Sequence, residues 1–374
     1  MPMPVSRLNN VNGEIIKWAR ENAGYSLADV VRACSIKDED TLQRIEAGDL
    51  KPTLLQAESF AKKFNRPLAF FYLKQVPKLP EHKRPDNRSL MLATDFGPAT
   101  RLAIRRLNLL QDNISEMKVA LKIKNPVLPA FTMQETPHAL ADKLRNYLGI
   151  VDMPRLLHRD IALDYIVSKV ESKGILVSQQ SMPRTELQGA SSLDPYPVIL
   201  INHTDYKSSK IFTLMHELCH LSLRTGGYCL IEPEPSKTVE AFCNDVAGEA
   251  LVPLSELTTH LGKRNANDDR VITSLADYFS VSREVVLLRL IRNGFVDKDL
   301  WDIKESQWRA EYSNALRSKH LRRATTVTRA LRENGHQFTH VVMNGFSEGI
   351  ISSAQASRYL NVRGGVLEDI RRRV

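Results

Sequence analysis

One run of five residues carries the strongest chemical signal in the chain. His216-Glu217-Leu218-Cys219-His220 is an HExxH motif. In a helix its two imidazoles lie one turn apart on the same side, so both can bind one metal ion. Two imidazoles with a carboxylate and an open position suit catalytic zinc. Glu217 is predicted at the rim of that face, where it can accept a proton from a water molecule.

A third metal ligand is available in the segment that follows. Glu240 lies twenty residues after His220, and Asn244 lies four residues further on, on the same face of a second predicted helix. A polar residue one turn from a ligand carboxylate can orient that ligand. Glu232 and Glu234, in a Pro-rich loop, are competing ligands that the spacing leaves open.

The motif also has a simpler interpretation, because HExxH occurs by chance. The two histidines would then belong to a solvated helix face, with Glu217 as an ordinary surface charge. The helix is predicted to start at an N-cap, Ser208 or Ser209, and to end at Gly226-Gly227. An apolar stripe is predicted away from the histidines, and it consists of Phe212, Met215, Cys219 and Leu223.

The two segments together resemble a known family. HELxHL, followed from Glu240 to Pro253 by E-x3-N-D-x-A-x-E-x-L-x-P, resembles the ImmA/IrrE family of zinc metallopeptidases. The spacing between His220 and Glu240 is also similar to that of thermolysin-type proteases. Cys243 and Val246 stand where the family pattern usually has Ala and Phe, which are mild changes in packing.

The resemblance implies a zinc metallo-endopeptidase with one Zn2+ per chain. The implied metal ligands are His216, His220 and Glu240, and the implied catalytic base is Glu217. It further implies regulation of gene expression by cleavage of a protein partner, a transcriptional repressor, in a stress or mobile-element response. The alternative is a DNA-binding regulator or antitoxin-like protein whose peptidase-like domain senses a signal. The complete set of four residues favours the peptidase, because an inert domain has no need to keep the base.

Some residues near the motif have roles that the sequence does not decide. Hydrolysis needs a group that stabilises the oxyanion, and Tyr206, His203, Tyr228 and Arg224 are candidates without a deciding spacing. Cys229 lies in the predicted loop between the two zinc helices. Its thiolate is a candidate fourth zinc ligand that would hold the enzyme inactive.

The N-terminal region is predicted to form five short helices. They are Gly13 to Asn22, Leu27 to Ala33, Thr41 to Ala47, Leu54 to Phe64, and a fifth opened by Pro67. The region resembles the Cro/repressor-type (XRE) helix-turn-helix family. The resemblance rests on Arg20-Glu21, Gly24, Ser26-Leu27, Leu42, Ile45-Glu46, Gly48, Pro52-Thr53, Ala61 and Phe64.

The charges of this region argue against tight binding to DNA. Asp38-Glu39-Asp40 precede the third helix, where acids would repel phosphates, and their simpler role is helix capping. Residues 1–75 carry 11 Lys and Arg against 9 Asp and Glu. We therefore expect weak binding of duplex DNA without sequence preference. We also expect docking of a protein partner or of the peptidase domain through Leu42, Phe70-Phe71 and the acidic turn.

The whole chain is predicted to be mostly α with a small sheet, an α+β protein. The predicted regions are a helix-turn-helix domain (1–75), a linker with a long helix (76–138), a zinc metallopeptidase domain (139–297) and a basic helical C-terminal region (298–374). Strands are predicted to begin near Ile175, Leu187 and Pro197. A preceding helix is predicted from Asp160 to Lys173, and it includes Ile161, Tyr165, Val167 and Val170. An edge strand is expected to bind the substrate backbone, and which strand this is stays open.

Composition sets the remaining expectations. The 374 residues include 43% hydrophobic and 25% charged residues, as in ordinary globular proteins. No apolar run is long enough for a membrane span and no signal peptide is recognised, so a cytoplasmic protein without membrane partners is expected. The four cysteines show no disulfide spacing. The net charge of +9 is compatible with nucleic acid without proving it, and a homodimer is left open.

Overall fold

The computed structural model describes residues 7–77, 96–225, 228–229, 239–317 and 324–374. These residues form two compact units, Met1–Arg106 and Leu107–Val374. The described chain is mostly helical with one small sheet, which confirms the predicted α+β class. None of its helices is both long and apolar enough to cross a bilayer.

Short helices surround one apolar core in the N-terminal unit. They are α1 (Gly13–Asn22), α2 (Leu27–Ala33), α3 (Glu39–Ala47), α4 (Leu54–Lys63) and a 3-10 helix (Leu68–Tyr72). The fifth predicted helix is present after Pro67, and it is a 3-10 helix. A segment of five residues suits this tighter helix, since 3-10 geometry is used in short pieces.

The acidic run before α3 caps the helix. Asp38 is the N-cap, and its carboxylate accepts a hydrogen bond of 2.8 Å from the backbone N–H of Thr41. Glu39 and Asp40 fill the first turn, where negative charge favours the helix dipole. The helix therefore begins at Glu39, two residues before the predicted start at Thr41, because the cap lies further upstream.

The predicted apolar docking surface of this unit is wrong. Leu42 and Phe71 are fully buried in the core, so neither is available to a partner. Leu42 lies on the inner face of α3, and the ring of Phe71 packs edge-on against Phe64, with centroids 6.4 Å apart. Phe70 is half-buried against Trp18. Of the proposed surface, only the acidic turn is exposed.

A buried ion pair joins α1 to α3. The guanidinium of Arg20 donates two hydrogen bonds, of 2.7 and 2.9 Å, to the carboxylate of Glu46. The hydrogen bond to Glu46 raises the pKa of Arg20 although burial opposes it. The two helices also approach closely at Gly13, where a Cβ would lie 2.4 Å from the carbonyl oxygen of Ile45. The ion pair between Arg20 and Glu46 and the close approach at Gly13 thus fix how α1 packs on α3.

The second unit contains one sheet and most of the helices. Before the sheet lie α5 (Pro98–Ala120, which begins in the first unit), α6 (Pro137–Leu148) and α7 (Arg159–Glu171). The strands are β1 (Leu176–Gln180), β2 (Gly189–Ser192), β3 (Val198–Asn202) and β4 (Tyr228–Cys229). The next helices are α8 (Lys207–Leu223), α9 (Val239–Leu251), α10 (Leu254–Leu261), α11 (Asp269–Phe279) and α12 (Arg283–Arg292).

The C-terminal region continues with helices that pack on the same unit. They are α13 (Asp299–Arg317), α14 (Thr326–Asn334), α15 (His336–Ser347), α16 (Ser353–Leu360), a 3-10 helix (Gly364–Val366) and α17 (Leu367–Arg371). The hydroxyl of Ser178 in β1 donates to the carbonyl of Glu333 at 2.6 Å. The buried carboxylate of Glu171 accepts a hydrogen bond from the backbone N–H of Gln337. These contacts anchor α14 and α15 beside β1.

The sheet has the strand order β1-β3-β2-β4. β1 pairs parallel to β3, whereas β2 is antiparallel to both β3 and β4. β4 was not predicted, since two residues give no alternating pattern. In α7, Ile161 is 58% exposed, whereas Ala162, Leu163 and Ile166 fill the core positions.

The ion pair of the N-terminal unit gives a stability test. Glu46→Gln leaves the half-buried guanidinium of Arg20 without its counter-charge, which costs about 3 kcal/mol when the site cannot be rehydrated. We expect the opening free energy of the α1 amides to fall by that amount in native-state hydrogen exchange of the full chain. Glu21→Gln is the matched control, because Glu21 is 54% exposed and touches Arg20 only at 3.3 Å. Equal effects of both changes would contradict this assignment.

Candidate metal centre

The HExxH motif lies in the second half of α8. This helix begins at Lys207 after Tyr206, which provides no side-chain cap, so the predicted capping by Ser208 or Ser209 is wrong. It ends at Arg224, which adopts the left-handed conformation. The helix thus stops before the predicted stop at Gly226-Gly227, which lies outside the described residues.

The motif is buried, which excludes a solvated helix face. The exposed fractions are 6% for His216, 0% for Glu217 and 3% for His220. The apolar stripe was predicted away from the histidines, but the ring of Phe212 lies 6.3 Å from that of His216. Phe212 and His216 are one turn apart, so they share a face. Met215 is in the core as predicted.

Three side chains converge on one point between α8 and α9. The Nε2 atoms of His216 and His220 are 3.0 Å apart, and the Glu240 carboxylate lies 3.1 Å from His216 and 3.3 Å from His220. All the candidate ligand atoms lie within 4.8 Å of one another. Ligand atoms at about 2.0–2.1 Å from a tetrahedral zinc lie about 3.3 Å apart. The donor set and its spacing therefore fit zinc.

Hydrogen bonds and charge prepare His220 to bind a cation. Its Nδ1 lies 3.1 Å from the hydroxyl of Thr225, and a proton on Nδ1 leaves the Nε2 lone pair directed at the cluster. Burial lowers the pKa of His220, but Glu240 and Glu217 outweigh burial and raise it. For Glu240 the signs are opposite: burial raises the pKa of its carboxyl group, but hydrogen bonds and charge from the two histidines outweigh burial and lower it. Nothing in the local sequence had indicated Thr225.

A second ionic group fixes the helix that carries Glu240. Glu249, at the other end of α9, is hydrogen-bonded to His138 of α6, to Arg289 of α12 and to the backbone N–H of Leu254. The Glu249 side chain is only 6% exposed. These contacts tie α9 to three neighbouring elements, so the position of Glu240 is set by the packing of the whole helix. Asn244 is half-buried one turn after Glu240.

Glu217 lies against the sheet, and its charge is also close enough to His220 to raise the pKa of that histidine. Glu217 lies beneath Gly189 of β2, where a Cβ on Gly189 would come within 2.8 Å of Glu217 Oε1. Neither carboxylate oxygen has a hydrogen-bond partner within the described part of the chain. β2 is therefore the strand next to the HExxH helix at the candidate base. In the described sheet β2 is an interior strand, and β1 and β4 lie at the edges, so of the three predicted strands the edge strand is β1.

Two of the four oxyanion candidates lie away from the cluster. His203 is hydrogen-bonded to Arg332, and burial with three nearby cations lowers its pKa to about 3. Tyr206 precedes α8, ten residues before His216, which is about 15 Å along a helix axis. Arg224 is exposed at the end of the helix. Tyr228 contributes its backbone to β4, and its side chain lies outside the described residues.

The remaining candidate zinc ligands lie outside the residues that the structure describes. The side chain of Cys229, and the whole of Glu232 and Glu234, lie among residues that the structure does not describe. Their predicted roles as a fourth ligand or as competing ligands stay predictions. The described histidine, cysteine and acidic residues provide one metal-binding group, formed by His216, His220 and Glu240.

The fold and the site together define a helical domain with a small sheet and a buried His-His-Glu cluster. Comparison with known families agrees with this class. Residues 170–290 match the model of peptidase family M78, the IrrE N-terminal-like domain. The match includes all four candidate site residues and supports a metallopeptidase of the ImmA/IrrE type, which implies a bound metal. No curated protein matches the chain.

The cluster predicts one zinc ion per chain. His216→Ala, His220→Ala and Glu240→Ala each remove one of three converging ligands, so each should weaken zinc binding by at least about 10²-fold. Competition with a chromophoric chelator measures the affinity, and elemental analysis measures the stoichiometry. His260→Ala, outside the cluster, should keep one zinc.

The same titration compares the candidate carboxylates. Glu232→Ala and Glu234→Ala should retain wild-type affinity. If one of them loses zinc while Glu240→Ala keeps it, the third ligand is assigned wrongly.

Proposed function

We propose that this chain is a zinc-dependent endopeptidase that cleaves a protein partner. The observation that carries the proposal is the convergence of His216, His220 and Glu240 next to the buried carboxylate of Glu217. Three ligands leave one coordination position open, which is the pattern of catalytic rather than structural zinc. Structural sites in contrast use four protein ligands.

The residues divide the chemical work between them. His216, His220 and Glu240 would hold zinc, which as a Lewis acid polarises a peptide carbonyl and increases the acidity of water. Glu217 accepts the proton of the attacking water and returns it to the leaving amine. Because Glu217 is fully buried, competing solvent is kept from its carboxylate. Thr225 holds the ring of His220 in one orientation.

The sheet suggests how a peptide is held. β2 lies against Glu217, and β4 pairs with its outer side at Gly189 and Ala190. An extended segment of a partner can add to the sheet at this edge, beside β4, through backbone hydrogen bonds. Backbone pairing favours an unfolded loop or linker as the cleaved segment, because a folded helix cannot offer those groups.

The N-terminal unit suggests the kind of partner. Its α2 and α3 are joined by a short turn and lie in the region whose sequence resembles a repressor-type helix-turn-helix domain, and its acidic turn is exposed. A negatively charged turn complements the basic surface of a DNA-binding protein and accelerates their encounter. We infer that the substrate is a transcriptional repressor and that the chain acts in the cytoplasm, where such a partner is found.

The catalytic assignment is tested at the base. Glu217→Gln removes the proton acceptor but preserves side-chain volume, so the variant should bind zinc as the wild type does. Hydrolysis should fall by at least about 10²-fold, the lower range for loss of a general base. The assay is mass spectrometry of candidate repressors incubated with both proteins. Cleavage by the variant at the wild-type rate would exclude Glu217 as the base.

The role of the N-terminal unit has its own test. Three acidic residues at the start of α3 oppose contact with phosphates, so the full chain should bind duplex DNA weakly and without sequence preference. Gel-shift titrations at physiological salt, with the non-cleaving Glu217→Gln variant, measure this. Nanomolar, sequence-selective binding would instead favour a DNA-binding regulator whose peptidase-like domain senses a signal.

A further inference from the structure

The backbone of β2 passes very close to the HExxH helix at Gly189. A Cβ built on this residue would lie 2.4 Å from Cγ2 of Thr213 and 2.8 Å from Oε1 of Glu217. It would also lie 3.2 Å from Cγ of Glu217. Real Cβ atoms essentially never lie within 3.0 Å of such neighbours, so any other amino acid at position 189 forces a neighbour to move.

The strand itself has little freedom to move away. Gly189 pairs with Ile201 of β3 on one side and with Cys229 of β4 on the other. Ile201 is fully buried in the core, so a shift of β2 would disturb the sheet on both sides. The strain of an added methyl group therefore falls on α8.

The two neighbours on α8 differ in stiffness. Thr213 is β-branched, and its χ1 angle is restricted in a helix. The carboxylate of Glu217 is the end of a longer side chain that can change rotamer. No hydrogen bond holds it in place, because neither of its oxygens has a hydrogen-bond partner among the described residues. Relief of the contact with Thr213 therefore requires a shift of α8, and the Glu217 carboxylate, one turn later on the same helix face, is displaced with it.

We propose that Gly189 is a positioning residue for Glu217. Its missing side chain leaves the space beneath β2 in which the carboxylate lies, and packing against the strand fixes the carboxylate where hydrogen bonds do not. This inference rests on the proposed function of Glu217 as the catalytic base. It assigns a catalytic consequence to a strand residue outside the HExxH motif and the metal ligands.

The first test is Gly189→Ala in the zinc-loaded full chain, with fluorogenic casein as substrate. The atoms nearest to a Cβ at position 189 belong to Thr213 and Glu217 and to none of the three candidate metal ligands. Zinc stoichiometry should therefore stay at one per chain. We expect KM to change by less than about twofold and kcat to fall by about 10²-fold, the effect of a misplacement of about 1 Å. A kcat equal to that of the wild type would overturn the proposal.

A second substitution separates positioning from general damage. Thr213→Ser removes Cγ2, the atom of closest approach, and the double variant Gly189→Ala/Thr213→Ser should regain at least about tenfold in kcat. The single Thr213→Ser change should alter kcat by less than about twofold. Gly345→Ala is the matched control, because its Cβ would meet only ordinary contacts, at 3.4 Å or more. A double variant as inactive as Gly189→Ala, with zinc lost from both, would mean that Gly189 is merely structural.

A third measurement does not depend on hydrolysis. The side-chain carboxyl carbon of Glu217, labelled with 13C and assigned by its loss in Glu217→Gln, should shift in Gly189→Ala and return towards its wild-type position in the double variant. An unchanged resonance in Gly189→Ala would overturn the proposal. If the wild type cleaves no protein but the resonance moves as expected, the positioning stands and the peptidase assignment fails.

Discussion

The structure depends on bringing three candidate metal ligands together, two of which are almost fully buried. His216 and His220 are almost fully buried, and their ring nitrogens face each other at 3.0 Å with the Glu240 carboxylate beside them. Buried polar groups are costly unless they are satisfied, and a cation satisfies all three at once. Metal binding and the packing of α8 against α9 are therefore coupled, and the site should contribute to the stability of its own domain.

Two contacts outside the motif hold the elements that carry the cluster and the candidate base in place. On one side, Glu249 links α9 to His138 and Arg289, so the helix that carries Glu240 cannot rotate alone. On the other side, Gly189 allows β2 to lie directly over Glu217. Neither Glu249 nor Gly189 is in the HExxH motif, yet both determine where its partners lie.

Local chemistry made much of this predictable, and long-range packing explains the rest. The i, i+4 spacing of His216 and His220 and the predicted helix from Leu27 to Ala33 follow from local rules. The structure agrees with both, since the two histidines converge and Ser26 caps the helix at Leu27. Leu42 was placed on the surface because sequence does not say which apolar face of a small helix is covered. The contact of Gly189 with Thr213 joins residues 24 positions apart, and no single-sequence pattern reports such a distance.

Comparison of the buried glutamates separates structural from chemical roles. Glu46 is paired with Arg20, Glu171 accepts a backbone hydrogen bond from Gln337, and Glu249 is paired with Arg289. Among the buried glutamates that the structure describes, only Glu217 lacks a hydrogen-bond partner for either oxygen. A carboxylate in that state lowers stability, because burial is not compensated. Such a local violation is expected where a group is kept for its reactivity, since a permanent partner would occupy the lone pairs that a catalytic base needs.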